Sequence, residues 1–311
     1  MTGIEANRKR MVELLEALTT GEGMRPSLLD GVKLIRADRS YPRSPVLYEP
    51  SIVIVANGRK RGYVGDRVYT YDAQNYLVLT VPMPFECETE VGENGPLLGV
   101  SIRVELAVLS ELMMNMNMRT RQAHGEGADR CISATPLDAK LGEATIRLLE
   151  ALGSPLEAKV LGPQIVREIT YRVLCGEQGG ALRALLSING AQAQIQRALH
   201  RMHSEYASPI EIASLAGEAG MSVSAFHHHF KAVTATSPLQ YLKTVRLHKA
   251  LMLMVQDGVG AAVAADKVGY ESASQFSREF KRFFGAPPID EAERVRSVLA
   301  FTPQEARVQV G

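Results

Sequence analysis

No run of eighteen apolar residues occurs in the 311-residue sequence, so nothing in it reads as a membrane-spanning helix. Cysteine is scarce. Cys87, Cys131 and Cys175 lie far apart without any CxxC pair, and an odd number of them with no secretory signal argues against a disulfide framework. The opening stretch MTGIEANRKRMVELLEAL is interrupted by charges, and the spacing of Met11, Leu14, Leu15 and Leu18 predicts an amphipathic helix rather than a leader. The expected location is the cytoplasm. Charge of either sign is not in excess, with 35 Lys and Arg against 34 Asp and Glu. Between Arg197 and Phe284 ten basic residues stand against seven acidic ones, which permits nucleic-acid binding without requiring it.

At about 150 residues per domain, the length predicts two domains. Residues 32–106 carry short runs rich in Val, Ile and Tyr, such as SIVIVANG, RVYTYD and YLVLTVP. Asn57-Gly58 and Gly65-Asp66 are turn signals between them. This pattern predicts a sandwich or barrel. From about 104 to 185 the period becomes helical, in VELAVLSELMMNMNM, LDAKLGEATIRLLEAL and PQIVREITYRVLCG. Residues 191–285 read as helical throughout.

The last hundred residues contain a repeat. SAFHHHFK at 224–231 aligns with SQFSREFK at 274–281, sharing S-x-F-x-x-x-F-K, and AGEAG at 216–220 matches ADKVG at 265–269. Each unit reads as a short helix, a turn and a second helix. Small Ala216 and Ala265 suit close helix crossing, and Gly220 and Gly269 supply the left-handed turn. Ser222 caps the following helix. Phe226 with Phe230, and Phe276 with Phe280, anchor each second helix at i,i+4 spacing. Between the units, Ser237 or Thr236 followed by Pro238 opens a helix that Gly258 ends. About eighteen residues make a rod of about 27 Å, near the 34 Å of one DNA turn.

LAGEAGMSVSAFHHHFKAVTATSPLQYLKTVRLHKALMLM and ADKVGYESASQFSREFKRFFGAPP resemble the DNA-binding domain of the AraC/XylS family of transcription regulators over about 195–290. DGVKLIRADRSYPRSPVLYEPSIVIVANGRKRGYVGDRVYTYDAQNYLVLTVPMP resembles the cupin-type N-terminal domain of such regulators. The resemblance implies an α+β chain of two domains: a cupin-like β-barrel with trailing helices, then an all-α double helix-turn-helix. The expected division is an N-terminal helix at 1–24, barrel sensor at 25–110, helical dimerisation or packing region at 111–185, linker at 186–193, DNA-binding domain at 194–290 and tail at 291–311. The implied function is ligand-responsive transcription regulation, most naturally activation. The expected partners are double-stranded promoter DNA, RNA polymerase, an unidentified small-molecule effector and a second copy of the chain. No cofactor is implied.

The resemblance places Ser224, His227 and His228 on the DNA-facing surface of the first recognition helix, with Ala273, Ser274, Gln275, Ser277 and Arg278 corresponding in the second. Arg278 is the strongest candidate, because arginine pairs with guanine or clamps a phosphate. The alternative for Arg278 is a surface contact with Gln275, Lys281 or Glu279. His229, beside Phe230, points towards the fold. Three consecutive helical histidines project about 100° apart and cannot converge on one metal. No histidine precedes His124, so the barrel lacks the usual cupin metal ligands; this weakens the readings of a cupin-type enzyme or a metal sensor fused to a DNA-binding module. Within the barrel, FECETEV alternates, turning Glu86, Glu88 and Glu90 to water and Cys87 inward. Cys87 is thus a pocket candidate or a small buried hydrophobe, and Arg36 and Tyr48 are further pocket candidates. The Met-rich LSELMMNMNM reads as a dimer interface or as ordinary packing.

Overall fold

The computed structural model describes residues 3–93, 95–116, 131–177, 179–186 and 191–300. The end of the Met-rich run at 117–118, residues 187–190 of the expected linker and 301–311 of the expected tail lie outside them.

After helix α1 (Gly3–Leu18), ten strands among the described residues form two antiparallel sheets. The first contains β1 (Gly23–Pro26), β2 (Val32–Ala37), β4 (Ser51–Asn57), β7 (Asn75–Leu79), β9 (Leu97–Arg103) and β10 (Ile132–Pro136), in the order β1-β2-β9-β4-β7-β10. The second contains β3 (Tyr41–Tyr48), β5 (Arg59–Val64), β6 (Arg67–Asp72) and β8 (Met83–Glu90), in the order β3-β8-β5-β6. The continuous apolar run of β4 has a use on each face. Ile52, Ile54 and Ala56 face a core shared with α1, α2 (Leu106–Asn115), α3 (Ala139–Ala151) and α5 (Gly162–Cys175). Val53 and Val55 face the space between the sheets, with Tyr71, Phe85 and Cys87 from the second sheet. A strand covered on both faces loses the apolar/polar alternation.

Three details depart from the sequence reading. β10 forms inside the segment read as helical and pairs with β7, Ile132 opposite Leu79. Asn57-Gly58 is not a hairpin but the corner where the chain passes from one sheet to the other, with Gly58 at φ +80°. The true hairpin is Gly65-Asp66, between paired Val64 and Arg67. The tail begins as a helix, α13 (Pro288–Ala300), packed on α10 and α12, with Ala292 2% exposed.

The C-terminal region comprises α7 (Ala191–Ser204), α8 (Ile212–Glu218), α9 (Val223–Thr234), α10 (Pro238–Gln256), α11 (Ala261–Lys267), α12 (Ala273–Phe284) and α13. Short α4 (Pro155–Val160) and α6 (Gly179–Leu185) complete the helices. Among the described residues no helix is long and apolar enough to cross a membrane.

Candidate nucleic-acid interface

Each helix-turn-helix unit is built as its sequence directs. Ser222 caps α9 by accepting from the Ala225 amide, and Ser272 caps α12 by accepting from the Gln275 amide. Phe226, Phe230, Phe276 and Phe280 are each 0% exposed. Ser237 caps α10, with Pro238 in its first turn, and Gly258 follows at φ +69°. The 19 residues of α10 give a rod of about 28 Å.

Burying those phenylalanines decides what each recognition helix displays. Ser224, His227 and His228 are exposed on α9, while His229 is half-buried. On α12, Ala273, Ser274, Gln275 and Arg278 are exposed and Ser277 is half-buried. Glu279 does not pair with Arg278. It accepts from Lys243 Nζ (2.8 Å), Tyr270 Oη (3.0 Å) and Gln275 Nε2 (3.1 Å). Burial pushes the Glu279 pKa up, but these hydrogen bonds outweigh it and hold the carboxyl below its ordinary value. Arg278 has no ion-pair partner among the described residues. The Gln275 amide is spent in part on Glu279, which fixes the side chain that lies beside Arg278 on this face.

One residue ties the two units together. Arg246, on α10, donates to the backbone carbonyls of Tyr206 (2.7 Å), Ser208 (3.0 Å) and Gly269 (3.1 Å). Its guanidinium therefore links the loop between α7 and α8 in the first unit to the turn of the second.

The sheets also meet the helices. A single core runs from Tyr71, Phe85 and Cys87 in the barrel to Phe226, Phe230 and Tyr241 in the first unit. Tyr241 Oη donates to the Pro82 carbonyl, which spends its one proton, so His203 Nε2 (2.8 Å away) must be the donor to Tyr241. Burial lowers the His203 pKa to about 4, which keeps this imidazole neutral at neutral pH. A cavity of about 1840 Å³ opens beside this joint, lined from the barrel by Arg36, Tyr48 and Lys60 and from the helices by Gln196, His248 and Phe284.

Two family models match the chain. One, described as AraC-type transcriptional regulator N-terminus, spans residues 28–181; the other, a helix-turn-helix domain, spans 215–294. The chain belongs to the AraC family of transcriptional regulators. It is 38% identical over 87 residues to the RCS-specific HTH-type transcriptional activator RclR of Escherichia coli strain K12, covering 28% of this chain and 31% of that protein. It is 35% identical over 95 residues to the HTH-type transcriptional regulator AlkR of Acinetobacter baylyi, covering 30% of this chain and 31% of that protein. The chain thus spans about a third of the length of these curated relatives. Among solved structures, ToxT from Vibrio cholerae with bound unsaturated fatty acid aligns over 84% of this chain and 94% of its own, at TM-score 0.61 and 11% identity, a likeness of fold.

Within this AraC-family frame, the pocket candidates separate. Tyr48 and Arg36 line the cavity, although Arg36 is committed to Asp38 at 2.7 Å. Cys87 faces inward, 4% exposed, but lies behind the cavity wall against the Tyr71 hydroxyl (3.4 Å). Lys60, Gln196, His248 and Arg246 were not singled out by the sequence. Lys60 stands out only once β5 is paired with β8. It lies opposite inward-facing Thr89, while its neighbour Arg61 lies opposite outward-facing Glu88. Among the described residues no group of three or more His, Cys, Asp or Glu side chains is placed to hold a metal ion.

Proposed function

We propose that the protein is a sequence-specific DNA-binding transcription regulator whose two helix-turn-helix units enter successive major grooves on one face of the duplex. The observation that carries this is the exposure of matching positions on α9 and α12, over phenylalanine anchors that are wholly buried. Lys and Arg supply phosphate affinity, and Ser224, His227, His228, Ala273, Ser274, Gln275, Ser277 and Arg278 form the reading surface. The bacterial AraC-family setting supports a cytoplasmic regulator rather than an enzyme.

The proposed effector is a small molecule held in the cavity between barrel and helices, where its affinity for one arrangement of the two domains would bias DNA binding. ToxT, solved with a fatty acid, supports a ligand in this fold. The proposed further partners are RNA polymerase and a second copy of the chain, joined through the helices that follow the barrel. Leu109, Leu112 and Met113 of α2 pack in the core beside the sheet, so the exposed Leu106 and Met114 are the large apolar side chains α2 has left to offer a partner.

A band-shift on the DNA upstream of its own and adjacent genes tests the proposal. Binding should resist non-specific competitor and weaken steeply as salt rises. Arg278→Ala should weaken it by about 1–3 kcal/mol, or 5- to 150-fold, and relax preference at one base position. Unchanged affinity and footprint would remove Arg278 from the reading surface.

A further inference from the structure

The interior of the barrel holds a lysine without a carboxylate partner. Lys60 Nζ donates to Thr89 Oγ1 at 2.9 Å and lies beside Tyr48. No carboxylate pairs with it among the described residues. Its neighbours on β5, Arg59 and Arg61, point the other way and take Asp72, Glu88 and Glu90. Three arginines at the barrel end of the cavity are already committed: Arg36 to Asp38, Arg43 to Glu86 and Arg103 to Asp30. A buried charge is ordinarily paired, because removing it from water is unfavourable.

The groups around Lys60 do not neutralise it. Burial raises the pKa of Tyr48 and raises that of Tyr71 further, so both phenols are uncharged at neutral pH. Burial disfavours the Lys60 ammonium and its hydrogen-bond acceptor favours it, so an anion brought to Nζ supplies what holds the proton there. Tyr48 Oη receives the Tyr71 hydroxyl (3.5 Å), which leaves its own hydrogen to donate. Thr89 takes one hydrogen of the Lys60 amine. The barrel side of the cavity therefore offers unspent donors and one inward lysine with no carboxylate partner among the described residues.

The helical side adds more. Gln196 Nε2 on α7 and His248 Nε2 on α10 are buried with no hydrogen-bond partner, and both residues line the same cavity. Between these polar points the wall is apolar, with Ile35, Val81, Leu251, Met252 and Phe284. At the barrel end, one lysine with the Tyr48 hydroxyl, where Arg36, Arg43 and Arg103 are already paired with carboxylates, suits a monoanion rather than a doubly charged phosphate. At about 1840 Å³ the cavity exceeds the ordinary size for one small ligand, so a bound molecule fills the barrel end and part of the cleft.

We infer that this cavity binds a small organic acid, its carboxylate held by Lys60 and the Tyr48 hydroxyl, its apolar body against the aliphatic wall, and the Gln196 amide contributing from the helical side. The inference rests on the effector reading above and gives it a chemical class. It also explains why an unpaired lysine is kept inside a barrel.

The experiment is thermal unfolding and calorimetric titration of the full chain with two matched sets of probes: benzoate against benzyl alcohol, and hexanoate against hexanol. The expected result is that at least one carboxylate raises Tm and binds about tenfold or more tightly than its alcohol. Lys60→Met is expected to abolish that preference and to raise the Tm of the unliganded protein by a few degrees, since it replaces a buried amine that has no carboxylate partner and roughly keeps the side chain's length. Gln196→Met is expected to weaken the carboxylate several-fold without raising Tm. If each alcohol matches its carboxylate, if no probe binds, or if Lys60→Met keeps the preference, the inference is overturned. Retention of promoter DNA by the wild-type chain without probes is measured on the same samples, so failure of the regulator reading is seen separately.

Discussion

Alanine at Phe280 is expected to destabilise the chain by about 3–5 kcal/mol, the range for removing a phenylalanine from a packed core. The side chain is 0% exposed, and its ring lies 5.4 Å from Phe276 and 4.5 Å from Phe284 between centroids. The loss is therefore both apolar burial and aromatic contact. Phe276, Phe280 and Phe284 recur every fourth residue, so the missing ring opens a void in the middle of the inner face of α12. The reading surface on the opposite face would then lose its support. Urea unfolding followed by circular dichroism measures the change, and the same variant should lose competitor-resistant DNA binding. Arg278→Ala should do the reverse, lowering affinity with unfolding unchanged. If Phe280→Ala unfolds like the wild type, α12 is not held as described.

The second large effect separates two glycines that the repeat makes equivalent. Gly220 and Gly269 occupy matching turns, at φ +63° and +81°. Any other residue there takes on left-handed strain of about 1–2 kcal/mol. Their surroundings differ. A Cβ on Gly220 would meet only Gln194 Nε2, at 3.9 Å. A Cβ on Gly269 would lie 2.3 Å from the Ala207 carbonyl oxygen and 2.9 Å from its carbon. Those are backbone atoms, in the loop that Arg246 ties to Gly269 itself. Gly269→Ala must push the two units apart, adding about 1–3 kcal/mol of overpacking. The expected total is about 2–5 kcal/mol for Gly269→Ala against about 1–2 kcal/mol for Gly220→Ala. Equal losses would show that the turn of the second unit does not rest on the loop of the first.

That inequality marks what could be read in the sequence. A repeat reports what each unit needs internally: phenylalanine anchors, serine caps, a left-handed turn. All of these lie where the pattern put them. How one unit sits on the other depends on Arg246 reaching three carbonyls, and carbonyls carry no sequence signature. The loops differ too, with one residue between Gly220 and Ser222 but two between Gly269 and Ser272, so the units are not copies in space.

The barrel was legible where alternation is strict. Met83–Glu90 buries every second residue, as FECETEV implies. It was illegible where a strand is short and remote. Ile132–Pro136 is five residues long and its partner β7 lies more than fifty residues earlier, so local pattern could not assign it to the sheet. The expected tail from 291 lies in a helix that Pro288 opens, a position where its missing amide hydrogen is no loss. Lys60 was hidden in RKRG, which looks like a solvated charge run. Only pairing β5 against β8 shows that Arg59 and Arg61 meet glutamates outside while Lys60 turns in.

The central claim is that α10 holds two reading helices at a fixed separation matched to one turn of DNA. Once a footprint has located the two contacted sub-sites, inserting five base pairs between them tests it most directly. The insertion moves the second sub-site half a turn round the duplex, and a rod of 19 residues cannot follow. Band-shift affinity is then predicted to fall to that of one sub-site alone, with only one protected by the footprint. Undiminished affinity, with both sub-sites still protected after the insertion, would contradict the account.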